Sequence, residues 1–116
     1  MRDKIFDLID REGKRQKNEL NLIPSENRVS KEVSLALGSC LVNKYAEGVV
    51  GKRFYQGNRE IDKIEKTAVD RAKKLFGVPH ANVQPYSGSP ANSAVQFGLL
   101  DKGDTVMGLS LSSGGH

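Results

Sequence analysis

Residues Asn82-Val83-Gln84-Pro85-Tyr86-Ser87-Gly88-Ser89-Pro90-Ala91-Asn92 read as a strand that ends in a small-residue turn and opens directly into a helix. Pro90 suits the first helical turn, where its missing N–H is no loss and its fixed φ is already helical. Gly88 lets a ligand approach the backbone closely, and Ser87 and Ser89 bring hydroxyl donors to the same place. The free amides and positive dipole end of the helix then face outward, an arrangement that binds phosphate. An ordinary serine N-cap, with no ligand, fits Ser-Gly-Ser-Pro taken alone.

The residues that follow extend the restriction. The helix from Pro90 should reach about Leu100, Asp101-Lys102-Gly103-Asp104 reads as a turn, and residues 105–109 form a second β-prone run. Strand, helix, strand is a βαβ unit with a right-handed crossover and a parallel sheet. Ligands on such sheets lie at the carboxyl ends of the strands, where Ser87 and the last residues fall. Two parallel strands do not make a doubly wound core, so the expectation is the beginning of a longer α/β protein.

Upstream, Asp3 is placed to cap a helix with Ile5, Leu8 and Ile9 on one face, followed by the polar run at residues 11–19. Residues 20–23 should be extended, because Pro24 disfavours helix before it, and Ser25-Glu26-Asn27 should turn. Ser30 is a cap for a short helix with Val33 and Leu37 inward and Gly38 as its stop. Residues 43–59 contain Gly48, Gly51 and Gly57 without a helical or strand period, and read as a long loop, a kind of segment that is usually functional or disordered. Ile61, Ile64, Ala68, Ala72 and Leu75 recur at helical spacing, with Gly77 at the end. The expected organisation is a helical arm over 1–42, a loop over 43–59 and the start of an α/β domain over 60–116.

Composition narrows the function classes. A chain of 116 residues that is 37% hydrophobic and 28% charged is globular in kind, with a modest core in reach. No apolar run approaches the ~20 residues that span a bilayer, the first residues do not resemble a secretory signal, and the default compartment is the cytoplasm. Cys40 stands alone, which leaves no internal disulfide and no paired thiols for zinc. The +4 charge is scattered, and three Tyr and four Phe leave little for a stacking platform. Small anionic ligands fit this better than nucleic acid, and no DNA is expected.

Several familiar motifs are excluded by spacing. Gly48-Val49-Val50-Gly51-Lys52-Arg53 is no phosphate loop, because that motif needs glycine at Ala46 and Ser or Thr at Arg53. No G-x-G-x-x-G follows a strand, and Ser89 lacks the G-x-S-x-G frame of a hydrolase. His80 and His116 have no partners at metal spacing, so no metal site is expected.

Four segments in one order carry a resemblance: Asn43-Lys44-Tyr45-Ala46-Glu47-Gly48, then Gly51-Lys52-Arg53-Phe54-Tyr55, then Asn82-Val83-Gln84-Pro85 with Ser87-Gly88-Ser89, then Gly114-Gly115-His116. Together with Leu22-Ile23-Pro24-Ser25-Glu26-Asn27 and Ala72-Lys73-Lys74-Leu75-Phe76-Gly77, the sequence from about residue 19 onward resembles the serine hydroxymethyltransferases. The resemblance implies the pyridoxal-phosphate-dependent, aspartate-aminotransferase-type large domain (fold type I), preceded by an N-terminal helical arm. It also implies transfer of the hydroxymethyl carbon of serine to tetrahydrofolate, giving glycine, in a homodimer or homotetramer with shared active sites.

By the same resemblance Ser87, Gly88 and Ser89 would hold the cofactor phosphate, and Tyr45 would reach it from the neighbouring subunit. His116 would stack on the pyridine ring. Ser25 and Tyr55 would bind the amino acid, Tyr55 again across the interface. Glu47 would be the acid/base group beside the hydroxymethyl and the folate, a role that requires it to exchange a proton near neutral pH. Leu111, Gly115 and His116 would line the folate pocket. The lysine that bonds the cofactor, the aspartate on the pyridine nitrogen and the arginine that clamps the substrate carboxylate are expected downstream, so this chain alone is expected to be inactive. A threonine-aldolase-like enzyme of the same fold type and a truncated, non-catalytic binding module are the other readings.

Overall fold

In the computed structural model, which describes residues 2–116, helices supply most of the regular structure, and the chain divides into one unit running to Lys44 and another from Tyr45 to His116.

The first unit opens with α1, Lys4–Asn18. Asp3 is extended, and its Oδ1 accepts from the Ile5 amide at 2.9 Å, so the expected cap forms. The polar run does not end the helix but is part of it. Arg15 forks onto Glu12 at 2.7 and 2.8 Å one turn back and reaches Glu19 at 2.9 Å one turn ahead. The hydrogen bond from Arg15 leads in lowering the Glu12 carboxyl to about 2.

Residues 20–23 form no helix or strand. The turn is closed by the Glu26 amide on the Ile23 carbonyl at 3.2 Å, with Pro24 and Ser25 at its centre. It therefore begins earlier than Ser25, because Pro24 already holds the φ of a turn's second position. Helix α2, Lys31–Leu37, is capped by Ser30, whose Oγ accepts from the Val33 amide at 3.3 Å, and stops at Gly38. A 3₁₀ turn, Cys40–Asn43, follows.

The second unit corrects the reading of residues 43–59 as wholly irregular. It contains a hairpin of β1, Gly48–Val49, and β2, Lys52–Arg53, paired antiparallel with Gly48 opposite Arg53 and Val49 opposite Lys52. Gly51 turns the chain with φ +76°. Helix α3, Arg59–Phe76, matches its periodic pattern and ends at Gly77 in the left-handed region, where the Gly77 and Val78 amides both return to the Lys73 carbonyl.

Helix α4, Gly88–Leu99, begins two residues before Pro90. The runs around it differ from expectation. Residues 82–84 and 105–109 are not strands, and the β1–β2 hairpin is the sheet found among the described residues, so the parallel pair and its crossover are not formed. Locally, the Asn82 Oδ1 takes the Gln84 amide at 2.9 Å, an Asx-type bond that competes with a ladder. The turn at 101–104 forms, closed by the Asp104 amide on the Asp101 carbonyl at 3.1 Å.

The expected core is absent as well. Among the described residues no apolar side chain is buried, and Val33 and Leu37, expected inward, are 47% and 69% exposed. Amphipathic faces bury only against facing elements, and a hairpin of two-residue strands offers none of sufficient size. No helix among the described residues is long and apolar enough to cross a membrane.

Candidate functional site

The hairpin brings together three residues singled out in the sequence. The Tyr45 and Tyr55 rings lie 5.6 Å apart, centre to centre, tilted by 36°. Between them in the chain, Glu47 precedes β1 with its side chain exposed, and its carbonyl accepts from the Phe54 amide at 3.1 Å. Gly48 has φ +99°, and a Cβ there would stand 2.3 Å from the Lys52 carbonyl oxygen. Only glycine fits immediately after Glu47, because both the conformation and the space exclude a side chain.

Arg53 anchors this hairpin. Its side chain is 4% exposed, and its guanidinium donates to Asp62 Oδ1 at 2.7 Å and Glu65 Oε2 at 2.6 Å on α3. The same fork donates through Nη1 to the carbonyls of Ala46 at 2.7 Å and Gly48 at 3.1 Å. The Arg53 hydrogen bond, then the Gly51 amide at 3.1 Å, hold the Asp62 carboxyl below its ordinary range. The bonds to Glu65 and Asp62 raise Arg53 further. Gln84 joins from a third segment, with Nε2 donating to the Gly48 carbonyl at 2.8 Å and Glu65 Oε1 at 3.0 Å. This links the chain leading into Ser87 to the backbone next to Glu47.

Asn58 braces the segment that leaves β2. It is the buried residue of the described chain, 5% exposed, and its Nδ2 donates to the Tyr55 carbonyl at 2.9 Å while Oδ1 has no partner. Sequence reasoning assigned no role to Arg53 or Asn58. The available signal was Asp62 and Glu65 three apart on one helical face, a pair of carboxylates that calls for a nearby cation.

At the head of α4, Ser87 is extended, with φ −159° and ψ 172°, and its carbonyl accepts from Ala91 at 3.3 Å. Its hydroxyl makes no capping bond, which separates it from Ser30 and Ser39, whose hydroxyls do. The first amides of the helix, at Gly88 and Ser89, have no intrahelical acceptor, and Pro90 has no N–H to satisfy. A Cβ at Gly88 would meet nothing within 4 Å, so the approach to these donors is open. The donor set fits a phosphate.

The last segment is held locally. Leu111–Ser113 form a 3₁₀ turn, Gly114 has φ +88°, and the Gly115 amide returns to the Ser110 carbonyl at 2.9 Å. A Cβ at Gly115 would lie 1.9 Å from the Leu109 carbonyl oxygen, so glycine is required there. Leu111 and His116 are exposed at either end of this turn. Ser25 belongs to the first unit, where it occupies the corner of the turn that Asn21 braces, accepting from the Ile23 amide at 2.9 Å and donating to Glu26.

The sequence profile of the family described as "Serine hydroxymethyltransferase" matches residues 1–116. A serine hydroxymethyltransferase of Acidothermus cellulolyticus is 59% identical over 112 residues, covering 97% of this chain and 26% of the relative. One from Desulfotalea psychrophila is 57% identical with the same coverage. "Serine hydroxymethyltransferase 1" of Pseudomonas aeruginosa is 54% identical over 114 residues, 98% of this chain and 27% of the relative. The chain thus spans about a quarter of the length of these relatives, and along almost all of its own length it belongs to the serine hydroxymethyltransferase family.

Proposed function

We propose that this chain supplies the N-terminal part of a fold-type-I, pyridoxal-phosphate-dependent large domain, and that the full-length protein interconverts serine and glycine with tetrahydrofolate as the carbon acceptor. The observation that carries this reading is the hairpin. Tyr45 and Tyr55, the residues expected to act across a subunit interface, flank the hairpin with their rings in contact, and Glu47 immediately precedes its first strand. Ser87, Gly88 and Ser89, expected to hold the phosphate within the subunit, stand together at the head of α4. A homodimer or homotetramer in the cytoplasm, with each site built from two subunits, accounts for that division.

Pyridoxal phosphate, when bound, supplies the electron sink of the reaction. The chain's own residues bind and move protons around it. The Ser87 and Ser89 hydroxyls and the open amides of α4 would hold the phosphate, joined by the Tyr45 hydroxyl of a second copy. His116 would contact the cofactor ring and, with Leu111 and Gly115, would line the folate pocket. Ser25 and Tyr55 orient the amino acid. Glu47 takes and returns the proton at the hydroxymethyl oxygen, as a carboxyl set beside the bond that breaks.

The decisive variant is Glu47→Gln in the full-length protein. Cofactor binding, read from the visible absorbance retained on gel filtration, should match the wild type. Serine cleavage should slow by about 10²–10⁴-fold, the usual worth of a positioned acid/base group. Equal loss of both would make Glu47 a structural residue.

A further inference from the structure

Glu47 stands at the mouth of a hairpin whose strands are two residues each, so that hairpin by itself cannot hold a side chain to the tolerance that proton transfer requires. The peptide carbonyls on either side of Glu47, those of Ala46 and Gly48, are both gripped by Nη1 of Arg53 at 2.7 and 3.1 Å. The remaining donors of the fork are fixed to Asp62 and Glu65 of α3 at 2.7 and 2.6 Å. Gln84 bonds the Gly48 carbonyl from another direction and shares Glu65 with Arg53. A guanidinium meets this combination because its donors diverge in one rigid plane, whereas an ammonium is a point charge.

We propose that Arg53 is a positioning residue for the acid/base step: it ties the carbonyls of Ala46 and Gly48, the residues on either side of Glu47, to α3, and Gln84 joins the same Gly48 carbonyl and Glu65. This rests on the assignment of Glu47 made above. It separates Arg53 from a simple ion-pair staple, which would support the fold without touching the rate.

The test uses the full-length holoenzyme and a double-mutant cycle. Arg53→Lys keeps the charge and loses the fork. It should retain cofactor absorbance and a serine KM within about twofold of the wild type, while kcat for serine cleavage falls by up to about 10²-fold, the scale of a 1 Å misplacement. On the Glu47→Gln background the same change should cost nothing further, since the fork acts through Glu47. A wild-type kcat in Arg53→Lys, or losses that multiply in the double variant, would overturn the proposal. A wild-type rate in Glu47→Gln alone would remove the functional reading first, and this one with it. Should Arg53→Lys not accumulate, Gln84→Ala decides: a kcat loss present on the wild-type background and absent on Glu47→Gln supports positioning, and an unchanged kcat overturns it.

Discussion

Two glycines of the hairpin share a left-handed φ yet differ in what surrounds them. Gly48, at φ +99°, faces the Lys52 carbonyl oxygen at 2.3 Å from a built Cβ, whereas Gly51, at φ +76°, has nothing within 4 Å. Gly51→Ala in the full-length protein should therefore cost about 1–2 kcal/mol, the conformational term alone. Gly48→Ala should cost clearly more, because the hairpin must also open, and it should slow serine cleavage as Glu47 shifts with its neighbour. Urea titration of both variants, side by side, checks the order. The Asp62 carboxyl gives a second readout at this scale. Its folded pKa is depressed, so its support for the hairpin is complete above the ordinary value of 3.8 and is lost as pH falls through the lower, folded value. The Gly51 amide, bonded to Asp62 Oδ2, should report that step below pH 3.8 as a change in its NMR shift. The change should be absent in Asp62→Asn.

Among the elements, the helices with a local cause were legible, and the strands without a local partner were not. Ser30 illustrates the first kind: its cap is written in the sequence and made within three residues, and Ser30→Ala should cost about 1 kcal/mol in the same urea titration. Asp3 and Gly77 mark the ends of α1 and α3 for equally local reasons. The residues at 82–84 and 105–109 carry β-prone side chains, but a strand exists only through pairing, and sequence separation hides which partner is present. The hairpin at 48–53 was missed for a related reason. Two residues per strand are too few to show alternation, and the contacts that secure it come from Arg53 reaching to α3, at nine and twelve residues' separation. At the candidate site, Tyr45, Glu47 and Ser87 were proposed from motifs, while the residues that brace the same segments, Arg53, Asn58 and Gln84, are defined by three-dimensional contacts that no linear pattern announces.

Across the described residues, apolar burial, the dominant favourable term of folding, is small and never complete at any apolar side chain. Ordering a backbone costs roughly 1–2 kcal/mol per residue, and apolar burial normally offsets it. Here no apolar side chain of the described chain is buried, and Leu20, Phe97 and Met107 are at least 90% exposed. The caps and the ion pairs of α1 and α3 favour helix locally, so the 116 residues expressed alone should show helical far-UV circular dichroism. They should not show a cooperative thermal transition, and they should bind a hydrophobic dye, the signature of secondary structure without fixed packing. In the full-length protein the same apolar faces, on α1, α2 and α4, should be covered, with dye binding abolished and a sharp transition restored. Deuterium exchange then distinguishes what each element of the second unit owes to its surroundings. Amides of the hairpin and α3, held by the Arg53 cluster, should exchange measurably more slowly than those of α4 in the isolated chain, and both should become protected together at full length. A cooperative melt of the 116 residues alone would mean that a packed core forms without the remaining three quarters of the family's length.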